Sequence, residues 1–249
     1  MIPKVIHYCW FGRQPLPELA QKCLASWRKF LPDHEIREWN EDNFDVTQIP
    51  YARQAYERGK FAFVSDYARF KILGEHGGIY FDTDVEVIRP LDDILAKGPF
   101  FGIEASRGEF FCAPGLGFAC NPGLGLCKEM CERYETMNFV DSDGQENLKT
   151  VVRILSELLL EKGFRPSNEV VKFDGAFFYP PEYFCPVNYY TGEKSITANT
   201  RTIHHYAASW VPEVAKPSLP AKILYGLGLQ NSAAAEALLR LYHLFKKPT

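Results

Sequence analysis

The spacing of apolar residues along the chain predicts strands and helices in alternation. Residues 4–10 (KVIHYCW) are a near-continuous apolar run, which marks a buried first strand. Over residues 16–31 the apolar positions widen to helical spacing, with Leu19, Cys23, Trp27 and Phe30 on one stripe, until Pro32-Asp33 breaks the pattern. Residues 35–39 alternate Ile36 against Arg37 as a second strand, 40–45 form a polar turn and 51–57 a short helix. Phe61, Val64, Ala68, Ile72 and Leu73 return to helical spacing, and Gly74, Gly77 and Gly78 are read as ending that helix. Ile79, Tyr80 and Phe81 are a short β-prone run, and 85–88 is another strand. Residues 99–104 and 110–120 are β-rich, and a helix follows over 124–137. A long helix is expected over 143–162, with Leu148, Val151, Val152, Leu155, Leu158 and Leu159 inside. Residues 166–190, rich in Phe, Tyr and Pro, read as irregular strands and turns, and 200–206 as a last strand. Strands alternating with helices make an α/β protein.

One short stretch concentrates the chemistry. Asp82 and Asp84 follow the apolar run 79–81 directly, with only Thr83 between them. In an extended chain two such carboxylates point to the same side, roughly 6–7 Å apart. Oxygen ligands suit a hard divalent cation. A bare phosphate does not suit them, because like unit charges about 4 Å apart repel by roughly 4 kcal/mol at an effective dielectric of about 20. A nucleoside diphosphate would therefore need a bridging metal. Asp66 and Arg69, three apart on the preceding helix, form either an ordinary intrahelical ion pair or a polar pair for a sugar hydroxyl or phosphate.

Composition narrows the class. The 249 residues are 46% hydrophobic and 24% charged with net charge −3, an ordinary globular balance that gives no sign of nucleic-acid binding. Seven cysteines, an odd number at irregular spacing, argue for buried thiols rather than a disulfide framework. No apolar run is long enough to span a membrane. Lys216, Lys222, Arg240, Lys246 and Lys247 face one acid, Glu236, in the last 34 residues. There residues 233–247 are expected as an apolar-basic helix, packed on the domain or lying on an anionic membrane surface. The expected division is a main domain over 1–215 and this extension over 216–249.

Ser65-Asp66-x-x-Arg69, then Gly77-Gly78-Ile79-Tyr80, then Asp82-x-Asp84 resembles the donor-binding core of glycosyltransferases with the DXD sugar-binding region. The nearest resemblance is to glycosyltransferase family 32, which includes bacterial capsular-polysaccharide enzymes and yeast initiating mannosyltransferases. The opening Ile2 to Gly12 and the segment Ile203 to Trp210 extend the likeness. It implies a GT-A type nucleotide-sugar-binding fold and retaining transfer of a sugar from a nucleoside-diphosphate donor to a glycan or lipid-linked acceptor. A UDP-sugar is favoured and GDP-mannose left open. Asp66, Arg69, Asp82 and Asp84 are the implied catalytic group. His7, Trp10, Gly12, Tyr80, Asn121, Ser209 and Trp210 join Asp66 and Arg69 around the donor. Asp82, Asp84 and His204, with His205 as the alternative, are the implied ligands of Mn²⁺ or Mg²⁺. Neighbours on a strand face opposite ways, so only one of the two histidines can serve.

No nucleophile emerges; Glu104 and Asp174 are the candidate carboxylates. Relatives in eukaryotes carry an N-terminal anchor, and this chain runs from Met1 into a strand. The expectation is thus a cytoplasmic bacterial enzyme of surface-polysaccharide synthesis, peripheral on the membrane at most. Two rivals remain: a non-catalytic sugar- or nucleotide-binding protein of the same fold, and an Asp-x-Asp phosphatase. The phosphatase would want Thr or Val where Glu86 stands.

Overall fold

A computed structural model of the protein describes residues 1–106 and 108–207. The expected helix over 233–247, the division after residue 215, and Ser209 and Trp210 lie outside the described residues. In chain order the elements begin with β1 (Val5–Cys9), α1 (Glu18–Phe30), β2 (Glu35–Trp39), α2 (Pro50–Glu57), α3 (Phe61–His76), β3 (Gly78–Tyr80) and β4 (Val85–Val87). They continue through α4 (Asp92–Leu95), β5 (Phe100–Ser106), β6 (Glu109–Cys112), β7 (Phe118–Cys120), α5 (Gly125–Glu135) and α6 (Val151–Glu161). β8 (Val171–Phe173), β9 (Ala176–Tyr179), α7 (Pro181–Phe184) and β10 (Thr202–His204) complete the described chain.

Eight strands form one mixed sheet in the order β2-β1-β3-β7-β5-β9-β8, with β6 hairpinned onto β5. β1 pairs in parallel with both β2 and β3. β7 runs against β3 and β5, so β5 and its parallel neighbour β9 point the same way as β3. The C-terminal ends of β1, β3 and β5 therefore share one edge. The α/β class expected from the sequence is what the structure shows.

Alternation along the strands feeds two cores, one on each face of the sheet. Ile79 and Phe81 pack with Trp27, Phe100 and Phe184, while Tyr80 packs with Phe70, Phe101 and Phe118. Helix α3 lies in the second core and buries most of its sides, including Phe63, Val64, Tyr67, Phe70, Ile72 and Leu73. β4 and β10 make a separate antiparallel pair that brings residue 204 opposite residue 85.

The structure corrects two helix boundaries. Gly74 does not end α3; it lies within the helix, where a Cβ would come 3.3 Å from that of Cys127 on α5. Gly77 is the terminator, with φ +64° and Pro122 Cδ only 2.6 Å from where a Cβ would stand. The long helix expected over 143–162 starts instead at Val151. Asp141 captures the backbone N–H of Asp143 and Gln145 with its side chain, and Val140 bridges Glu146, so 140–150 stays non-helical. Leu148, expected inside, is 55% exposed. The aromatic stretch 166–190 is more regular than expected, since β8 and β9 extend the main sheet. All seven cysteines are free thiols.

Candidate active site at the end of β3

Phe81 continues the β3 line by donating its N–H to His7 O (3.2 Å), and the Asp82 N–H is held by Gly115 O at 3.0 Å. The chain then turns sharply, with Val85 N donating to Asp82 O at 3.1 Å. This turn overturns the extended geometry expected for 82–84. The two carboxylates are separately partnered.

Asp82 faces α3. Its Oδ1 accepts the Tyr80 hydroxyl at 3.0 Å and lies 3.3 Å from Arg69 Nη2. The same Nη2 is 2.9 Å from Asp66 Oδ1, Arg69 Nε donates to Ser65 O at 3.1 Å, and the guanidinium lies over the Tyr80 ring at 4.9 Å. Asp66 and Arg69, both buried, thus join Asp82 in one polar cluster beneath the strand end. Burial pushes the Asp66 carboxyl up to about 7, against the pull of Arg69. Burial works against the Arg69 charge too, but Asp82, Tyr80 and Asp66 outweigh it and hold the guanidinium charged.

Asp84 faces β10. Its Oδ1 is 3.2 Å from His204 Nε2 and its Oδ2 accepts the Ala207 N–H at 2.8 Å, while its backbone O accepts from His205 N at 3.0 Å. Burial would raise the Asp84 pKa, but His204 and the Ala207 N–H together hold it below the usual carboxylate range. Burial would likewise lower that of His204, and Asp84 drives it well above the ordinary imidazole value. Among the described residues His204 Nδ1 is buried without a hydrogen-bond partner, with Cys185 the neighbour that adds to the upward pull on its pKa. His205 points the other way, its Nε2 2.8 Å from Glu86, which also holds Lys22 at 2.9 Å. Strand alternation separates the two histidines as expected, and His204 is the one at the site.

The described residues offer a metal a pair of side chains rather than the expected triad. Among the described residues no three His, Cys, Asp or Glu side chains converge, so Asp82 is not grouped with Asp84 and His204. An octahedral ion with bonds of about 2.1 Å places adjacent ligands about 3.0 Å apart. The 3.2 Å between Asp84 Oδ1 and His204 Nε2 matches that separation. One carboxylate and one imidazole suit a cation that takes its remaining ligands from phosphate and water.

Other expected donor residues are placed differently. His7 is fully buried, with Nε2 3.0 Å from Gly77 O and Nδ1 accepting from Trp39 Nε1 at 2.9 Å, so both nitrogens serve the scaffold rather than a ligand. Tyr80 is likewise buried and meets the cluster through its hydroxyl on Asp82 and its ring under Arg69. Gly12 is explained by Phe61, whose ring lies 2.3 Å from where a Cβ would be, and by φ +95°; its N–H donates to Glu41 at 2.6 Å. Trp10 sits partly exposed past the end of β1, at the same edge as Asp82, with Nε1 on Gln14 O at 2.6 Å. Asn121 is at the wrong end. Cys120 pairs with Gly78, so Asn121 follows β7 out at the start of β3, across the sheet from Asp82.

Sequence reading missed Gly115. A Cβ there would lie 2.0 Å from Asp82 Oδ2 and 3.2 Å from Arg69 Nη1, so only glycine lets the carboxylate take this position. Its signal was the Pro114-Gly115-Leu116-Gly117 interruption between two β-prone runs.

Known proteins similar to this chain include glycosyltransferases. An uncharacterized glycosyltransferase, L373, of Acanthamoeba polyphaga mimivirus is 34% identical over 111 residues, covering 41% of this chain and 43% of that protein. Inositol phosphoceramide mannosyltransferase 3 of Schizosaccharomyces pombe is 33% identical over 98 residues, covering 38% of this chain and 27% of that protein. The chain thus spans less than half the length of these curated relatives. A solved glycosyltransferase involved in glycosylation of the major capsid of PBCV-1 superposes with TM-score 0.48 at 12% identity, over 84% of this chain and 95% of that one. Residues 17–101, which carry Asp66, Arg69, Asp82 and Asp84, match the family described as the glycosyltransferase sugar-binding region containing the DXD motif.

Proposed function

We propose that this protein is a metal-dependent glycosyltransferase of GT-A type. It moves a sugar from a nucleoside-diphosphate donor, a UDP-sugar before GDP-mannose, to a hydroxyl of a glycan or lipid-linked acceptor. The observation that carries the reading is the pair of differently partnered aspartates at one strand end, Asp82 on Arg69 and Asp84 on His204, inside a stretch that matches the DXD region. Asp84 and His204 would hold a divalent cation, Mn²⁺ by preference. Such an ion offsets the negative charge that gathers on a leaving diphosphate. Arg69 fixes the direction of Asp82, and with Asp66 gives the site a rigid polar floor where a sugar or ribose hydroxyl can be oriented. Trp10 offers an indole at the same edge for the nucleotide. Retention of anomeric configuration, and a role in surface-polysaccharide synthesis at the cytoplasmic side of a membrane, complete the reading on the resemblance of its motifs.

The test is thermal stabilisation of the purified protein by UDP and by GDP, each with and without Mn²⁺. A shift with one nucleotide that chelator abolishes is the expected result and names the donor class. No shift with either, together with no nucleotide release from any donor sugar, would overturn the reading.

A further inference from the structure

Glu104 stands two residues beyond Gly102 on β5, so both project from the same face of the strand. Gly102 shows where that face looks: a Cβ there would come 3.2 Å from Phe184 Cβ and 3.3 Å from Leu116 Cβ. Next to Phe184, Cys185 Sγ lies 2.8 Å from the Tyr206 hydroxyl, and the Tyr206 ring is 4.2 Å from that of His204. β5 ends on the same sheet edge as β3. Glu104 therefore reaches the His204 side of the site from the neighbouring strand end, within electrostatic range of His204 and Tyr206.

Every other carboxylate at the site already has a partner. Asp66 and Asp82 share Arg69, Asp84 holds His204 and the Ala207 N–H, and Glu86 holds Lys22 and His205. Glu104 pairs through its backbone with Phe111 on β6, and among the described residues none gives its carboxylate a hydrogen bond or an ion pair. Asp174, the other carboxylate weighed from the sequence, is 2.8 Å from Lys162 in the β8–β9 turn. That turn precedes β9, which parallels β5, and so lies at the far end of the sheet. Burial pushes the Glu104 pKa up, although His204 pulls the other way. Burial thus makes the Glu104 charge costly, and a buried carboxylate gains most when positive charge arrives opposite it.

We propose that Glu104 is a further catalytic residue: its carboxylate faces the reacting carbon of the donor sugar and stabilises the positive charge that builds there. This rests on the transferase reading above. As the carbon–oxygen bond to the diphosphate breaks, its electron pair leaves with the diphosphate and the sugar carbon becomes cationic. The acceptor hydroxyl oxygen forms the new bond to that carbon, and its proton passes to a diphosphate oxygen. Glu104 forms no bond; the site thus sets a negative group at the sugar and positive groups at the leaving group.

The experiment compares the full-length wild type with Glu104→Gln and Glu104→Asp. It measures release of UDP or GDP from UDP-glucose, UDP-galactose, UDP-N-acetylglucosamine and GDP-mannose with Mn²⁺ and water as acceptor. Melting temperature and the shift produced by nucleotide plus Mn²⁺ are recorded alongside. Gln keeps the shape and removes the charge, so release should fall about 100-fold or more while the nucleotide shift persists and the melting temperature holds or rises. Asp keeps the charge and should retain more release than Gln. Release by the Gln variant within about threefold of wild type would overturn the proposal, set against the ~100-fold that such a charge is worth. So would a loss of the nucleotide shift together with a fall in melting temperature, which marks a structural residue. A wild type with neither nucleotide shift nor release would overturn the transferase reading itself, and this proposal with it.

Discussion

Gly115 and Asp82 occupy one space: a Cβ on residue 115 would stand 2.0 Å from Asp82 Oδ2 and 2.9 Å from its Cγ. Gly115→Ala is therefore expected to swing the Asp82 carboxylate away from Arg69 and Tyr80. Asp82 is partly exposed, so the chain can yield at an overpacking cost of about 1–3 kcal/mol in stability. Loss of donor binding should exceed the loss of fold, with nucleotide affinity down about tenfold or more, equivalent to ~1.4 kcal/mol. Calorimetric titration with nucleotide plus Mn²⁺, beside urea unfolding, checks both numbers.

Asp84→Asn removes the charge opposite His204 but leaves an oxygen that can still accept the Ala207 N–H. The variant should fold and lose the metal-dependent nucleotide shift. In the wild type without metal, Asp84 keeps His204 protonated to a pH well above the ordinary imidazole value, whereas the Asn variant should release that proton at lower pH. A histidine NMR titration of both proteins reads this directly. An unchanged His204 titration would mean that the pair does not form.

Much of this arrangement was legible in the sequence, and the failures have separate physical causes. The strands β1 and β2 and the helix α3 followed from the spacing of apolar residues, and strand alternation gave that only one of His204 and His205 can face Asp84. Asp66 and Arg69 followed from their helical spacing. Gly74 and Gly77 look alike in a sequence; contact with Cys127 explains one and a positive φ the other, and both are tertiary facts. Residues 143–150 misled because their apolar spacing is helical while the Asp141 side chain takes the backbone N–H groups. Asn121 was misplaced because β7 runs antiparallel, a reversal that composition does not announce. Gly115 was missed for the same reason: its importance lies in a side chain 33 positions away.

Arg69 carries two carboxylates, and replacing it should be far costlier than replacing either one. Arg69→Met leaves the buried Asp66 and the partly exposed Asp82 without their shared cation, a loss of about 3–5 kcal/mol. Asp66→Asn should lose only about 1 kcal/mol, because the amide oxygen can still accept from Arg69. Burial has already brought the Asp66 carboxyl up to about 7, so neutralising it asks little of the fold. Urea unfolding of both variants at pH 7 tests the asymmetry; equal losses would contradict the shared-cation arrangement.

His7 ties the site's strand to its neighbours and should make the protein sensitive to acid. Burial first, and then Arg37, lower its pKa to about 4, with the Gly77 carbonyl resisting. In the unfolded chain the same imidazole titrates near 6.5. Between those values the unfolded state takes up a proton that the folded state refuses, so stability is full above pH 6.5 and falls as pH drops towards 4. The span corresponds to about 3 kcal/mol. Proton uptake would also break the bond that Nδ1 accepts from Trp39 Nε1, loosening β1 against β2, the strand pair whose far end carries Trp10. His7→Gln should be less stable than wild type at pH 7 and lose less on going to pH 4.5. Unfolding free energies of both proteins across that range, with Trp39 fluorescence followed in parallel, provide the measurement; parallel pH curves for the two would remove His7 as the acid-sensitive group.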